Sequence, residues 1–335
     1  MEDRFGHRIS YLRISITDRC NERCVYCLPS EAQEWLSREV VLSYEEILRV
    51  VRISAGLGVR KIRVTGGEPL TRRDVLWFLE ELSAIPGIDE VGLSSNGTLL
   101  ARQAPGRSVS FAEAIRSAGV NTINFSLDTL DPAEYAKTTG RDFFPQLLEG
   151  IDAARAADFD RLKMNCVLMR HRNEHELWDL VEFARKRDLL LRFIELMPVS
   201  NTEVLSEDNF MSTHDARKLL EFRLGKLTAR PDVRTNGPAS YFEIESTGQI
   251  IGFIGAMTNL HFCESCNKLR LTCEGKLRPC LGSHLEFDLR EALRSPRVTD
   301  AEIARLILDV VDRKPEQHDF RNNYQPGRKM IAIGG

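Results

Sequence analysis

Eight cysteines are the residues of this sequence best suited to chemistry, and they are unevenly spaced. Cys20, Cys24 and Cys27 form a Cys-x3-Cys-x2-Cys word. Cys263 and Cys266 are two residues apart and are followed by Cys273 and Cys280, while Cys166 stands alone. The first ten residues include acidic side chains and lack the apolar core of a secretory signal, so a cytoplasmic location is expected. Closely spaced thiols in a large cytoplasmic chain read as metal ligands or redox groups rather than disulfides. Three thiolates on one short loop can hold three irons of a cubane cluster and leave the fourth iron open for a substrate. Structural zinc is the alternative, completed by His7 at the first group and by His261 or His284 at the second. Spacing alone does not choose between Cys273 and Cys280. Cys166, on an apolar strand, reads as a core residue.

The elements that must position these groups are legible as alternating strands and helices. Strands are predicted at Tyr11–Thr17, Val59–Thr65, Glu90–Ser95, Thr122–Leu127, Arg161–Met169 and Leu189–Met197. Helices are predicted at Tyr44–Ala55, Asp74–Ile85, Phe111–Ala118, Pro145–Ala157 and Glu174–Lys186. Ser43 with Glu46 gives the first helix a capping box. Six such units make an α/β fold, a partial (β/α)6 barrel of the TIM type, with ligands at the carboxyl ends of its strands. A doubly wound open sheet obeys the same rule and is the alternative. The first cysteine word directly follows the first strand, and the Gly66-Gly67-Glu68-Pro69 turn follows the second. On that second strand Lys61 and Arg63 share one face with Thr65, while Ile62 and Val64 share the other. Inward-facing cations on a buried strand are costly without an anionic partner. Arg13 and Lys163 repeat the pattern, and Arg192 is a further candidate.

With 42% hydrophobic and 28% charged residues over 335 positions, the chain is globular rather than disordered. Its formal net charge of −3 gives no general basic field for a nucleic-acid duplex, so an anion must meet a local cluster of cations. The longest apolar runs are far too short to span a bilayer. The pattern changes after about residue 201, and turn formers near 235 suggest a boundary: a barrel over residues 1–235 and an α+β extension over 236–335. In the second half a helix is predicted at Ser212–Phe222, a hairpin at Tyr241–Glu245 and Gln249–Ile254, and a helix at Ala301–Val311. A polar tail closes the chain.

The first cysteine word, with Tyr26 before its last cysteine, and the Gly-Gly-Glu-Pro turn resemble the radical S-adenosylmethionine (SAM) enzymes. A narrower resemblance runs through the whole chain. It includes Thr17-Asp18-Arg19-Cys20-Asn21, Lys61 to Leu70, Ser95-Asn96-Gly97-Thr98, Asn124 to Asp128, Arg192 to Pro198, Ile251 to Ile254, Phe262 to Asn267 and the terminal Gly334-Gly335. These words resemble the GTP 3′,8-cyclase family, lyases that begin molybdenum cofactor biosynthesis.

The resemblance implies two [4Fe-4S] clusters, one on Cys20, Cys24 and Cys27 and one in the C-terminal extension on Cys263, Cys266 and Cys280. It implies SAM contacts at Tyr26, Gly67, Ser126 and Met197, and GTP contacts at Arg13, Arg63, Thr98, Lys163, Lys268 and Arg270. At 268 the family pattern has arginine, so lysine keeps the charge and loses the bidentate fork. The implied reaction cleaves SAM to a 5′-deoxyadenosyl radical, which takes hydrogen from the ribose 3′ carbon so that this carbon attacks guanine carbon 8. No catalytic side chain is implied beyond the cluster and bound SAM. Implied partners are a low-potential electron donor of the flavodoxin or ferredoxin type and a cyclic pyranopterin monophosphate synthase downstream, with a homodimer as one option and neither nucleic acid nor membrane. A peptide-modifying radical SAM maturase is the rival enzyme, and an iron–sulfur or zinc binding module the non-enzymatic one.

Overall fold

A computed structural model describes all residues except 29–33, 201–203, 234, 236, 323 and 335. The six predicted strands are present as β1 (Tyr11–Ser15), β2 (Lys61–Thr65), β3 (Glu90–Ser95), β4 (Thr122–Ser126), β5 (Arg161–Leu168) and β6 (Leu190–Glu195). They pair in order and in parallel. Between them run α1 (Tyr44–Gly56), α2 (Val75–Ser83), α3 (Phe111–Ser117), α4 (Pro132–Thr139), α5 (Phe144–Ala156) and α6 (Leu177–Lys186). The Ser43–Glu46 capping box forms, and a second one, Ser110 with Glu113, starts α3. Helix α4 is absent from the sequence-based assignment, although its signals are plain. Asp131 caps it, Pro132 takes the first turn and Gly140 ends it at φ +65°.

The C-terminal third extends this sheet at both edges. It contributes α7 (Thr213–Leu224), β7 (Leu227–Ala229), β8 (Ser240–Ile244), β9 (Ile250–Ile254), β10 (Lys268–Leu271), β11 (Lys276–Arg278) and β12 (Phe287–Asp288). It ends in α8 (Arg290–Arg294), α9 (Asp300–Asp312) and α10 (Met330–Ile333). Strand β9 pairs parallel to β6, and β10 pairs parallel to β1. The result is a 12-stranded sheet in the order β12-β11-β10-β1-β2-β3-β4-β5-β6-β9-β8-β7, with eight parallel strands in its centre and antiparallel strands at each margin. The sheet does not close on itself, as expected of a partial barrel. Its outward side chains, including Ile62, Val64, Val91, Leu93 and Ile123, pack against the helices in one continuous core. Among the described residues no helix is long and apolar enough to cross a membrane.

The tail, polar by composition, alternates exposed residues with buried ones. Lys314, His318, Phe320, Tyr324, Ile331 and Ile333 are all under cover, so this segment is packed structure rather than a solvated end.

Glu195 fastens the late elements to the barrel. Its side chain is 0% exposed and sits at the carboxyl end of β6. It accepts hydrogen bonds from the backbone N–H of Thr213 at 2.9 Å, of Met257 at 2.8 Å and of Thr258 at 3.1 Å. The hydroxyls of Thr213 and Thr258 donate to it as well. One carboxylate thus satisfies the start of α7 and the turn after β9. Glu195→Ala leaves those buried donors unpaired and should cost about 3 kcal/mol of unfolding free energy, read from denaturant titration.

Candidate active site

All six cysteines of the two implied ligand sets line one cavity of about 360 Å³ at the carboxyl ends of the central strands. Cys20, Cys24 and Cys27 enter from the loop after β1. Cys263 and Cys266 lie between β9 and β10, and Cys280 follows β11. Cys273 does not line the cavity: it is fully buried, with its Sγ 3.9 Å from the carbonyl oxygen of Ala332. Cys166 is in the core. None of the histidines considered for zinc lines the cavity. His7 is held by Asp3 at 2.8 Å, His261 pairs with Glu264 and His284 stacks on Tyr324. Among the described residues no three His, Cys, Asp or Glu side chains converge on a single ion-sized point. A cubane does not require such convergence, because each thiolate binds a different iron.

The first thiol loop is seated by the Gly-Gly-Glu-Pro turn. The N–H of Gly67 donates to the Thr17 carbonyl at 2.7 Å, and the N–H of Glu68 donates to the Arg19 carbonyl at 2.8 Å. A Cβ on Gly67 would lie 2.3 Å from that Arg19 oxygen, so the close approach excludes any side chain. The Glu68 carboxylate in turn accepts from the N–H of Leu70 and Asn96 and from the Ser95 hydroxyl, tying the turn to the end of β3. The turn therefore fixes the backbone of the thiol loop at the end of β1.

Tyr26, Gly67, Ser126 and Met197 line the same cavity as the thiols. The Tyr26 hydroxyl donates to Asp128 at 2.7 Å, and Asp128 also accepts the N–H of Val167 at 2.8 Å. Carboxylates dominate this end. Burial pushes Glu22 and Glu68 up to about 7 and Asp128 up to about 6.

Of the six implied GTP contacts, Arg13, Arg63, Lys163, Lys268 and Arg270 line the cavity, as does Arg192. Thr98 does not. It is buried one layer behind, accepting from Asn21 at 2.8 Å and donating to Asn96 at 2.9 Å, where it braces the thiol loop. Lys61 shares the face of Arg63 and lies beside Tyr11, but it forms an ion pair with Glu90 and is not part of the lining. The cations repel one another. Burial and the charges of Arg192, Arg63 and Lys61 pull Lys163 down to about 6. Tyr11, missed in the sequence, lies among them: its ring centroid is 5.4 Å from the Lys268 ammonium and 5.6 Å from that of Lys61. Burial alone would raise its phenol. The charges of Arg63 and Arg13, a hydrogen bond from Arg63 and the charge of Lys61 outweigh burial and bring it down to about 7.

Two glycines make room for two of these arginines. Arg63 stands opposite Gly92 across β2–β3, and Arg192 stands opposite Gly252 across β6–β9. A Cβ on Gly92 would lie 2.3 Å from Cζ of Arg63, and one on Gly252 would lie 3.0 Å from Cγ of Arg192. Arg63, 1% exposed, donates to the Leu93 and Thr122 carbonyls and the Tyr11 and Thr122 hydroxyls. Gly92→Ala should cost about 1–3 kcal/mol through overpacking. Combining it with Arg63→Met should relieve the clash, giving a coupling of about 1 kcal/mol or more in a double-mutant cycle of unfolding energies.

The chain end also reaches this site. Met330 and Ile331 line the cavity, and Arg270 donates to the Gly334 carbonyl at 2.9 Å. Gly335 lies outside the described residues.

Residues 14–184 match the Radical SAM superfamily, and residues 189–320 match Molybdenum Cofactor Synthesis C. The chain is 41% identical to the GTP 3′,8-cyclase of Syntrophomonas wolfei over 100% of both proteins. It is 40% identical to that of Moorella thermoacetica over 100% of both, and 41% identical to that of Ectopseudomonas mendocina over 99% of this chain and 98% of the relative. Among solved structures it is similar in fold to Streptococcus suis SuiB bound to S-adenosylmethionine, with a TM-score of 0.59 at 16% identity, covering 88% of this chain and 67% of SuiB. The full-length likeness, with every cysteine of both implied sets facing one cavity, places the chain in the GTP 3′,8-cyclase family of the radical SAM superfamily.

Proposed function

We propose that this chain converts GTP to (8S)-3′,8-cyclo-7,8-dihydroguanosine 5′-triphosphate, the first step of molybdenum cofactor biosynthesis. The observation that carries the reading is one cavity lined by both thiol triplets and by a set of cations. In this reading Cys20, Cys24 and Cys27 hold one [4Fe-4S] cluster and Cys263, Cys266 and Cys280 hold another. When bound, the first cluster and SAM supply one-electron cleavage of SAM and a radical able to remove a hydrogen atom from ribose.

The chain's own residues bind, orient and exclude water. Glu22 and Asp128 give the first end the negative charge that suits a sulfonium cofactor, while Asp128 holds Tyr26 in place. Gly67, Ser126 and Met197 complete the SAM contacts. Arg13, Arg63, Lys163, Lys268 and Arg270 offer the triphosphate its counter-charges, a need that a peptide substrate would not create. Thr98 is assigned an indirect part, through Asn21 and the thiol loop. The functional division at residue 235 separates the SAM-binding barrel from the part that supplies the second triplet. A flavodoxin- or ferredoxin-type donor would deliver the electron in the cytoplasm, and a cyclic pyranopterin monophosphate synthase would take up the product.

The deciding assay is anaerobic formation of 5′-deoxyadenosine from SAM, with and without GTP. GTP should stimulate it and yield a cyclised guanine nucleotide. Cys24→Ala should abolish cleavage, and Cys280→Ala should spare cleavage while impairing cyclisation. Cleavage indifferent to GTP would overturn the substrate.

Binding should also take up protons. Lys163, at about 6 in the ligand-free protein, is mostly neutral at pH 7.5, and Tyr11, at about 7, is mostly ionised. An arriving polyphosphate favours the ammonium and the neutral phenol, so each gains a proton. GTP affinity should therefore fall as pH rises from about 6 to 8, by up to about tenfold per pH unit for each proton linked. Calorimetry in buffers of different ionisation enthalpy reads the uptake, and Lys163→Met should remove one component of it.

A further inference from the structure

The two thiol triplets sit in opposite electrostatic surroundings. The carboxylates Glu22, Glu68 and Asp128 bear on Cys20 and Cys24, and the cation Arg23, in contact with that loop's thiol residues, donates to the Cys20 carbonyl rather than to a sulfur. Around Cys263, Cys266 and Cys280 the neighbouring charged groups are cationic: Lys314 faces all three, Lys268 faces Cys266 and Arg321 faces Cys263. Each thiol of the second triplet also receives one backbone N–H, from His318, Lys268 and Gly282 respectively.

Lys314 is the centre of this arrangement. It is 3% exposed and lines the cavity just beyond the end of α9. Its ammonium donates to the carbonyl of Lys268 at 3.3 Å and to that of Pro279, and it hydrogen-bonds the Cys266 thiol. The two carbonyls belong to the segments that carry Cys266 and Cys280, so one side chain ties both ligand strands together. Burying a lysine so completely is costly unless a negative partner repays it. A cubane carrying three thiolates, with each iron formally shared between ferrous and ferric states, has a net charge of −1 when oxidised and −2 when reduced. One ammonium neutralises the oxidised form and favours the reduced one.

We propose that Lys314 is a positioning residue for the second cluster that holds its reduction potential above the value the same three cysteines would give alone. Net charge and hydrogen bonds to sulfur are the levers by which a protein sets such potentials. The proposal rests on the reading that Cys263, Cys266 and Cys280 hold an iron–sulfur cluster. On that reading the acidic surroundings of the first triplet keep its cluster strongly reducing, and the second is set apart from it by local charge.

The test is an EPR-monitored potentiometric titration of the full chain, reconstituted anaerobically, with iron and sulfide counted in each sample. Lys314→Gln keeps an N–H donor for the carbonyls and removes the charge. It should lower the reduced-to-oxidised ratio of the second cluster about tenfold at the wild-type midpoint, a shift of about 59 mV to more negative potential, and leave the first cluster unmoved. Lys314→Arg should keep the wild-type value. An unchanged midpoint in Lys314→Gln at full iron content overturns the proposal. Should Lys314→Gln lose the second cluster, retention by Lys314→Arg supports a role for the charge, and loss by both overturns it in favour of packing alone. Wild-type protein whose iron content is unaffected by Cys280→Ala would overturn the second-cluster reading, and this inference with it.

Discussion

Like-charge repulsion in an enclosed space shapes this molecule more than any single contact. Arg13, Arg63, Lys163, Arg192, Lys268 and Arg270 all face one cavity, and the β2 strand that carries Arg63 is buried at every residue. Such a cluster is tolerated only where the scaffold supplies partial compensation. Here the compensation is distributed. Arg63 spends its donors on backbone carbonyls and two hydroxyls, Glu90 takes Lys61 out of the set, and Tyr11 yields its proton readily. What remains is a concentration of positive charge in one cavity, which together with burial holds Lys163 down to about 6.

The same cavity turns acidic within its own length. Glu22 and Asp128 border the first thiol triplet, whereas Lys314 borders the second. A cationic cofactor and an anionic substrate can therefore be placed side by side by charge alone, before any shape matching is considered. The parallel sheet makes this feasible because every strand delivers its following loop to the same edge. The flanking strands β9 and β10 extend that edge, and so bring the late cysteines to the loop that carries the early ones.

Glu195 shows how the late chain is kept in register. A carboxylate at the end of β6 accepts from donors in two segments far apart in sequence, fixing α7 and the turn after β9 to the barrel. Nothing in the word Arg192 to Pro198 hints at this, since a glutamate at a strand end is as often a ligand contact as a structural knot. Lys314 was equally silent. It stands in a stretch of charged and polar residues whose composition suggests solvent, and only its burial among three thiols gives it a role.

The sequence by itself determined the order of the six βα units, because hydrophobic periodicity and caps such as Ser43 with Glu46 are local properties. It also named the first thiol loop and its Gly-Gly-Glu-Pro turn, since a short motif keeps its own geometry. Only the tertiary structure decided which late cysteine faces the cavity, because Cys273 and Cys280 are separated by a strand, β11, and a turn whose course depends on pairing with β10 and β12 and on α10 packing. It likewise decided that Lys61 is spent on Glu90, that Thr98 stands behind the wall, that Gly92 leaves room for Arg63, and that Gly252 leaves room for Tyr241 and Arg192. These are contacts between residues distant along the chain, and their energies arise from burial and repulsion that no local pattern encodes.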